Sequence, residues 1–167
     1  MSQITPFLWF DKNAEEAMKF YVSVFAKAPY KKGASKVVSI KRYPKGITEG
    51  PMAGMDGKVL TAVFQLAGQT FMCLDGGPIF KPSTATSLYV RCKDQKEVDY
   101  FWNKLTAGGL PEAQQCGWLQ DKYGFSWQII PDALPKLLND KNKAKADRAM
   151  QAMLQMRKID IAKLREA

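Results

Sequence analysis

The sequence predicts an α+β fold made of two tandem βαβββ modules followed by C-terminal helices. Three observations carry this. A strand, cap and amphipathic helix at the start of the chain return 81 residues later; three further strand candidates follow each helix; and the last 36 residues switch to helical periodicity.

The first module is placed at residues 1–78. Ile4 to Phe10 is an apolar, strand-like run, and Asp11 or Asn13 can cap the helix that follows it, with Glu15 and Glu16 in the first turn. Ala17, Phe20, Tyr21 and Val24 then recur at helical spacing. Lys36 to Tyr43, Val59 to Leu66 and Gln69 to Leu74 read as strands, the last two joined by a tight turn at Ala67-Gly68. Gly76 to Thr84, with Pro78 and Pro82, reads as the link.

The second module is placed at residues 79–131. Leu88 to Cys92 is its first strand, Asp94 its cap, and Val98, Phe101, Trp102 and Leu105 stand opposite the four helix positions of the first module. A short piece near Glu112 to Gln115, then Trp118 to Asp121 and Phe125 to Pro131, complete the set. Gly68 to Leu74 aligns with Gly124 to Ile130, which makes Met72 the repeat mate of Gln128. Residues 132–167 read as a helical extension. Ala146, Ala149, Met150, Met153 and Leu154 form one apolar stripe, and Asp160 caps a last helix with Ile161 and Leu164. Such a stripe packs on its own domain or across a symmetric dimer, and a homodimer is expected.

Composition narrows the function. The 167 residues are 46% hydrophobic, enough for a packed core, while no apolar run approaches the ~20 residues of a membrane helix. The N-terminus has no basic region followed by an apolar core, so a cytoplasmic chain without a membrane partner is expected. Cys73, Cys92 and Cys116 are odd in number and lack CxxC spacing, which fits a reducing compartment.

Net charge is +9, with eight basic residues against three acidic ones between Lys141 and Ala167 and a second basic cluster from Lys27 to Arg42. The tail lacks interleaved aromatic residues and any nucleic-acid motif, which argues against a nucleic-acid partner and leaves attraction of a small anionic ligand as the livelier use of the charge. Histidine is absent altogether. That excludes Ser-His-Asp and Cys-His nucleophiles, HExxH zinc sites and two-histidine facial triads. Gly76-Gly77 and Gly108-Gly109 are isolated pairs without phosphate-loop spacing and read as turns.

The helix motif AMKFYVSVF (Ala17 to Phe25), the linker GGPIFKPS (Gly76 to Ser83), CGW (Cys116 to Trp118) with YGFSWQIIP (Tyr123 to Pro131), and MQAMLQMRKIDIAKL (Met150 to Leu164) resemble the PhnB-like group of the vicinal oxygen chelate superfamily. That superfamily includes glyoxalase I, fosfomycin-resistance proteins and extradiol dioxygenases, and members of the group often carry the label demethylubiquinone methyltransferase. The chain has no glycine-rich loop of the kind that holds S-adenosylmethionine. The resemblance implies a curved mixed sheet with a concave ligand cleft. In metal-dependent relatives four ligands line that cleft, one from the first and one from the last strand of each module. Carried over by the repeat, these positions fall near Pro6, at Met72, near Ser87 and at Gln128, and Ile79 stands where the group commonly has a histidine. Proline and methionine do not serve a hard cation and serine is a poor ligand, so a cleft without metal or other cofactor is expected.

Strand alternation then sorts the side chains. With Gln128 facing the cleft, Ser126, Ile130, Met72, Leu74, Ser87, Tyr89, Arg91, Leu8 and Phe10 share its face. Phe7, Trp9, Phe71, Cys73, Leu88, Val90, Trp127 and Ile129 take the helix-covered one. The candidate ligand-binding residues are therefore Gln128, Tyr89, Arg91, Ser87, Met72, Leu8 and Phe10. Each has a plainer role: Gln128 in bonding to neighbouring backbone or Tyr89, Tyr89 as a satisfied core ring, Arg91 at a strand end in water. Cys73 reads as inert core, and the Cys116 thiolate would need Lys122 or Arg91 nearby.

Three functions follow. The first is metal-free binding of a small polar or anionic molecule, the second a metal-independent enzyme using Tyr89, Arg91 or Gln128, and the third a dimeric interaction module whose cleft is filled by Met72, Phe10 and Ile79.

Overall fold

A computed structural model describes residues 4–30, 33–46, 48–50 and 52–167. Lys31 and Lys32 of the basic cluster lie outside the described residues. The chain divides into two compact units, one ending at Lys81 and the other spanning Pro82–Ala167.

In the first unit, β1 (Phe7–Phe10), α1 (Ala14–Ala26), β2 (Lys36–Arg42), β3 (Val59–Leu66) and β4 (Gln69–Asp75) build a mixed sheet in the order β1-β4-β3-β2. Only the β1–β4 pair is parallel. Ala67 and Gly68 both take positive φ (50° and 89°), the two-residue turn whose twist matches a hairpin. One face of the sheet carries Leu8, Phe10, Ala62, Phe64, Phe71 and Cys73, all buried, and α1 lays Ala17, Met18, Tyr21 and Val24 against it. Phe20 is half-buried, and Met18 takes a core place that the predicted spacing left out.

Asp75, 1% exposed, closes this unit. Its Oδ1 accepts the Ala14 N–H and its Oδ2 the Val59 N–H, both at 2.8 Å, while the Tyr43 hydroxyl donates to its carbonyl at 3.0 Å. Asn13 occupies the N-cap of α1 but makes no side-chain cap bond. A carboxylate from the far end of β4 does that work instead, which satisfies a helix-end donor and a strand donor at once.

The second unit repeats the plan with β5 (Ser87–Cys92), α2 (Gln95–Leu105), β6 (Leu110–Gln115), β7 (Trp118–Gln120) and β8 (Ser126–Pro131), ordered β5-β8-β7-β6. Again the outer pair, β5–β8, is parallel. Asp94 caps α2 as expected: it accepts the Glu97 N–H at 3.1 Å, and Glu97, itself buried, accepts the Lys93 N–H at 2.7 Å. Val98, Phe101, Trp102 and Leu105 are all buried, with Cys92, Leu119, Trp127 and Ile129 in the same core. Asp121 leaves the strand predicted for it. It is buried and accepts from the Tyr123 and Phe125 N–H groups and from Trp127 Nε1, so it organises the turn that delivers β8.

Three helices end the unit: α3 (Ala133–Leu138), α4 (Lys143–Leu154) and α5 (Ile161–Glu166). They close over Ile130 in a cluster with Leu134, Ile159 and Leu164, against which Ala152, Met153 and Met156 pack. The predicted stripe is rotated: Ala149 is buried and Met153 packed, but Met150 and Leu154 stay exposed because the chain turns inward at Met156 and Ile159. No helix among the described residues is long and apolar enough to cross a membrane.

Two outcomes are expected. Asp75→Asn turns one acceptor into a donor facing an N–H group, and urea unfolding should show a loss of about 1–3 kcal/mol. Arg42 and Lys19 hold the Glu15 carboxyl down at about 2 from 4.5. A depressed folded value means that this stabilisation is present above the ordinary carboxylate range and lost as pH falls toward about 2, so Glu15→Gln should flatten the acid limb of a stability–pH curve.

Candidate functional site

Register decides which side chains share the face of the second sheet that α2 leaves open. Tyr89 pairs with Gln128, Ser87 with Ser126 and Arg91 with Ile130 across β5–β8, while Trp118 pairs with Gln128 and Gln120 with Ser126 across β7–β8. Residues opposite one another on paired strands point the same way. One row therefore reads Tyr89, Gln128, Trp118: a glutamine amide between two rings that are 54% and 39% exposed. The next row reads Ser87, Ser126, Gln120.

Within these rows Gln128 Nε2 donates to Ser87 Oγ at 2.8 Å. Burial pushes the Tyr89 phenol upward from its ordinary value, although Arg91 pulls against this. Arg91 is exposed and ion-paired through Nε with Asp132, whose carboxylate raises the guanidinium further. A groove of about 450 Å³ adjoins the rows, bounded by Trp118, Ser126, Glu112, Gln115, Cys116 and Thr84. The Cys116 thiol is half-buried there, whereas Cys73 is fully buried and pushed up to about 12, chiefly by desolvation. Lys122 lies over the Tyr123 ring, 4.8 Å from its centre.

The family model described as 3-demethylubiquinone-9 3-methyltransferase matches residues 2–130. The chain belongs to this PhnB-like family. A PhnB protein from Bacillus cereus, described as a putative 3-demethylubiquinone-9 3-methyltransferase, is 41% identical and superposes with a TM-score of 0.62, covering 78% of this chain and 99% of its own. A protein from Pseudomonas aeruginosa shares 20% identity at a TM-score of 0.59, over 78% of this chain and 98% of its own. The fosfomycin resistance protein FosX from Listeria monocytogenes, at 10% identity and a TM-score of 0.50, covers 81% and 97% respectively and shares the fold of the vicinal oxygen chelate superfamily. No protein of curated function matches the sequence.

Set against the four metal positions of the superfamily, the PhnB-like chain offers a poor ligand set. Met72, Ser87 and Gln128 hold their predicted face, but β1 does not. Phe7 pairs with Met72 and Leu8 with Cys73, so Leu8 and Phe10 are buried on the helix side, and Phe7 and Trp9 take the open face. The cause is a connection one residue longer in the first unit: Asp11 to Asn13 separates β1 from α1, but only Lys93 and Asp94 separate β5 from α2. A repeat read from the helices thus slips by one in the strand, and a one-residue slip exchanges the faces. Carried over by the strands, the first position moves from Pro6 to Thr5, the repeat mate of Ser87. A threonine, a thioether, a serine and an amide already bonded to that serine do not fit a divalent cation. Among the described residues no group of three acidic or cysteine side chains is close enough to hold one.

Trp118, Gln120 and Ser126 belong to the open face, and Trp118 escaped the candidate set. Its signal was the Cys116-Gly117 pair: both residues have positive φ (53° and 86°), so the turn spans two residues and puts Trp118 at the first place in β7. Gly117→Ala should cost about 2 kcal/mol or more in urea unfolding, because φ is positive and the new Cβ would sit 2.7 Å from Ile130 Cδ1.

Proposed function

We propose that this PhnB-like protein binds a small molecule on the open face of its second sheet, a ligand with a flat, largely apolar body and one hydrogen-bonding edge. The row Tyr89, Gln128, Trp118 beside the groove carries this reading. Two partly exposed rings offer stacking surfaces, and the Gln128 amide, oriented by Ser87, offers a polar atom between them. Arg91 is already engaged by Asp132, so a negative charge on the ligand is drawn by the overall charge of +9 rather than clamped by that guanidinium.

Binding is favoured over catalysis by the chemistry of the groups present. Gln128 transfers no proton, the Tyr89 phenol is pushed away from neutrality, and the Cys73 thiol is buried and protonated. A self-filled site is disfavoured because Phe10 is buried on the other face and Ile79 is 71% exposed. Metal independence, a homodimer and a cytoplasmic location are parts of this proposal. Metal analysis of protein purified without metal-affinity resin and light scattering test the first two.

A screen of aromatic amides and aromatic acids by ligand-observed NMR tests the binding itself. Trp118→Ala should weaken the best hit about tenfold, and Gln128→Ala about three- to tenfold. Hits whose affinity ignores both substitutions would sink the proposal.

A further inference from the structure

The family match ends at residue 130, and the helices beyond it return to the site. A strap, Met156 to Ile161, leads from α4 into α5 and runs from the Cys116-Gly117 turn past Ile130 to the first turn of α2. On one side the carbonyls of Met156 and Arg157 accept the N–H groups of Cys116 and Gly117, both at 2.8 Å. On the other side Gln95, in the first turn of α2, uses both ends of its amide: Nε2 donates to the Ile159 carbonyl at 3.1 Å and Oε1 accepts the Ile161 N–H at 2.9 Å. Lys158 pairs with Asp99 at 2.6 Å. Between these anchors Ile159 is fully buried against Ile130, Leu134 and Leu164.

The strap therefore grips the turn that precedes Trp118. Left to itself a two-residue turn directs these N–H groups to water and opens readily; here both are taken, and Gly117 is seated so closely that a Cβ would lie 3.1 Å from Ile159 Cγ1. Ile130 is the next open-face residue along β8 after Gln128, yet it is only 6% exposed because the appended helices cover it.

We infer that the strap Met156–Ile161 is a specificity element of the PhnB-like site: it holds the Cys116-Gly117 turn so that Trp118 stays in row with Gln128, and it ends the ligand surface at that row. Gln95 and Ile159 are its positioning residues. The inference rests on the binding surface proposed above. Its chemical consequence is a limit on length, with single-ring or fused-ring ligands accepted and longer aromatic ones turned away. A held ring also spares the ligand the cost of ordering it.

The test compares the full chain with Gln95→Ala, Ile159→Ala and the double variant, keeping Ile159→Val as the conservative control. Backbone hydrogen exchange and the affinities of anilinonaphthalene sulfonate and its longer dimeric form are measured on each. Exchange at Cys116, Gly117 and Trp118 should rise about tenfold or more in the double variant while Trp127 and Val90 hold their protection, and Ile159→Val should stay near wild type. The dimeric dye should gain on the single one by about threefold or more. Exchange that rises equally through β5 and β8, or not at all at 116–118, overturns the inference, because the strap would then be only a source of global stability or no anchor. Dye binding that ignores Trp118→Ala overturns the binding reading and the length limit with it. The exchange data still decide the positioning role in that case.

Discussion

Each sheet has one face that its helix must cover, and that requirement sets the strand register on which the site rests. Burying Leu8, Ala62, Phe64 and Cys73 under α1, and Val90, Leu119, Trp127 and Ile129 in the core with α2, leaves the alternate residues of the same strands no choice of side. The open face is thus a by-product of the buried one. Outside the end where the appended helices bury Ile130, it needs no core of its own, which frees it to carry Tyr89, Gln128 and Trp118.

Buried carboxylates tie the loops to this frame. Asp75 joins the start of α1 to the start of β3, Glu97 closes the entry to α2, and Asp121 shapes the turn into β8. Each accepts two or more hydrogen bonds or completes a cap, the condition under which a polar group is tolerated at such depth. The groove of the first unit near α1 has a different lining: Lys12, Lys19, Arg42 and Lys58 meet Glu15, Glu16, Asp56 and Asp75 there, four cationic side chains against four carboxylic ones. The open face of the second unit differs in kind: its central row is two aromatic rings and an amide, with the Arg91–Asp132 ion pair at its side.

Family and chemistry also part company in an instructive way. Family membership follows from a match along residues 2–130, whereas the four positions that the resemblance to metal-dependent relatives implies carry Thr5, Met72, Ser87 and Gln128. None of the four is fully buried, so within each unit they contribute little to the packed core. Substitutions there cost little stability, so a binding surface can be rewritten while the fold persists.

Local pattern alone was enough for eight strands and four of the five helices in their order, for the Asp94 cap, for the tight turn at Ala67-Gly68 and for the exclusion of histidine chemistry, while α3 was covered only by a general helical reading of residues 132–167. These depend on neighbours within a few residues. Only the tertiary structure decided that Leu8 and Phe10 belong to the core, that Asp75 rather than Asn13 caps α1, that Gln128 bonds Ser87, that Asp132 holds Arg91, and that Met156 and Arg157 return to bond the Cys116-Gly117 turn. Every one of these joins residues some 40 to 65 positions apart in the chain, or turns on a connection longer by one residue. Periodicity records what a residue's neighbours do, and it carries no account of which distant strand or strap will meet it.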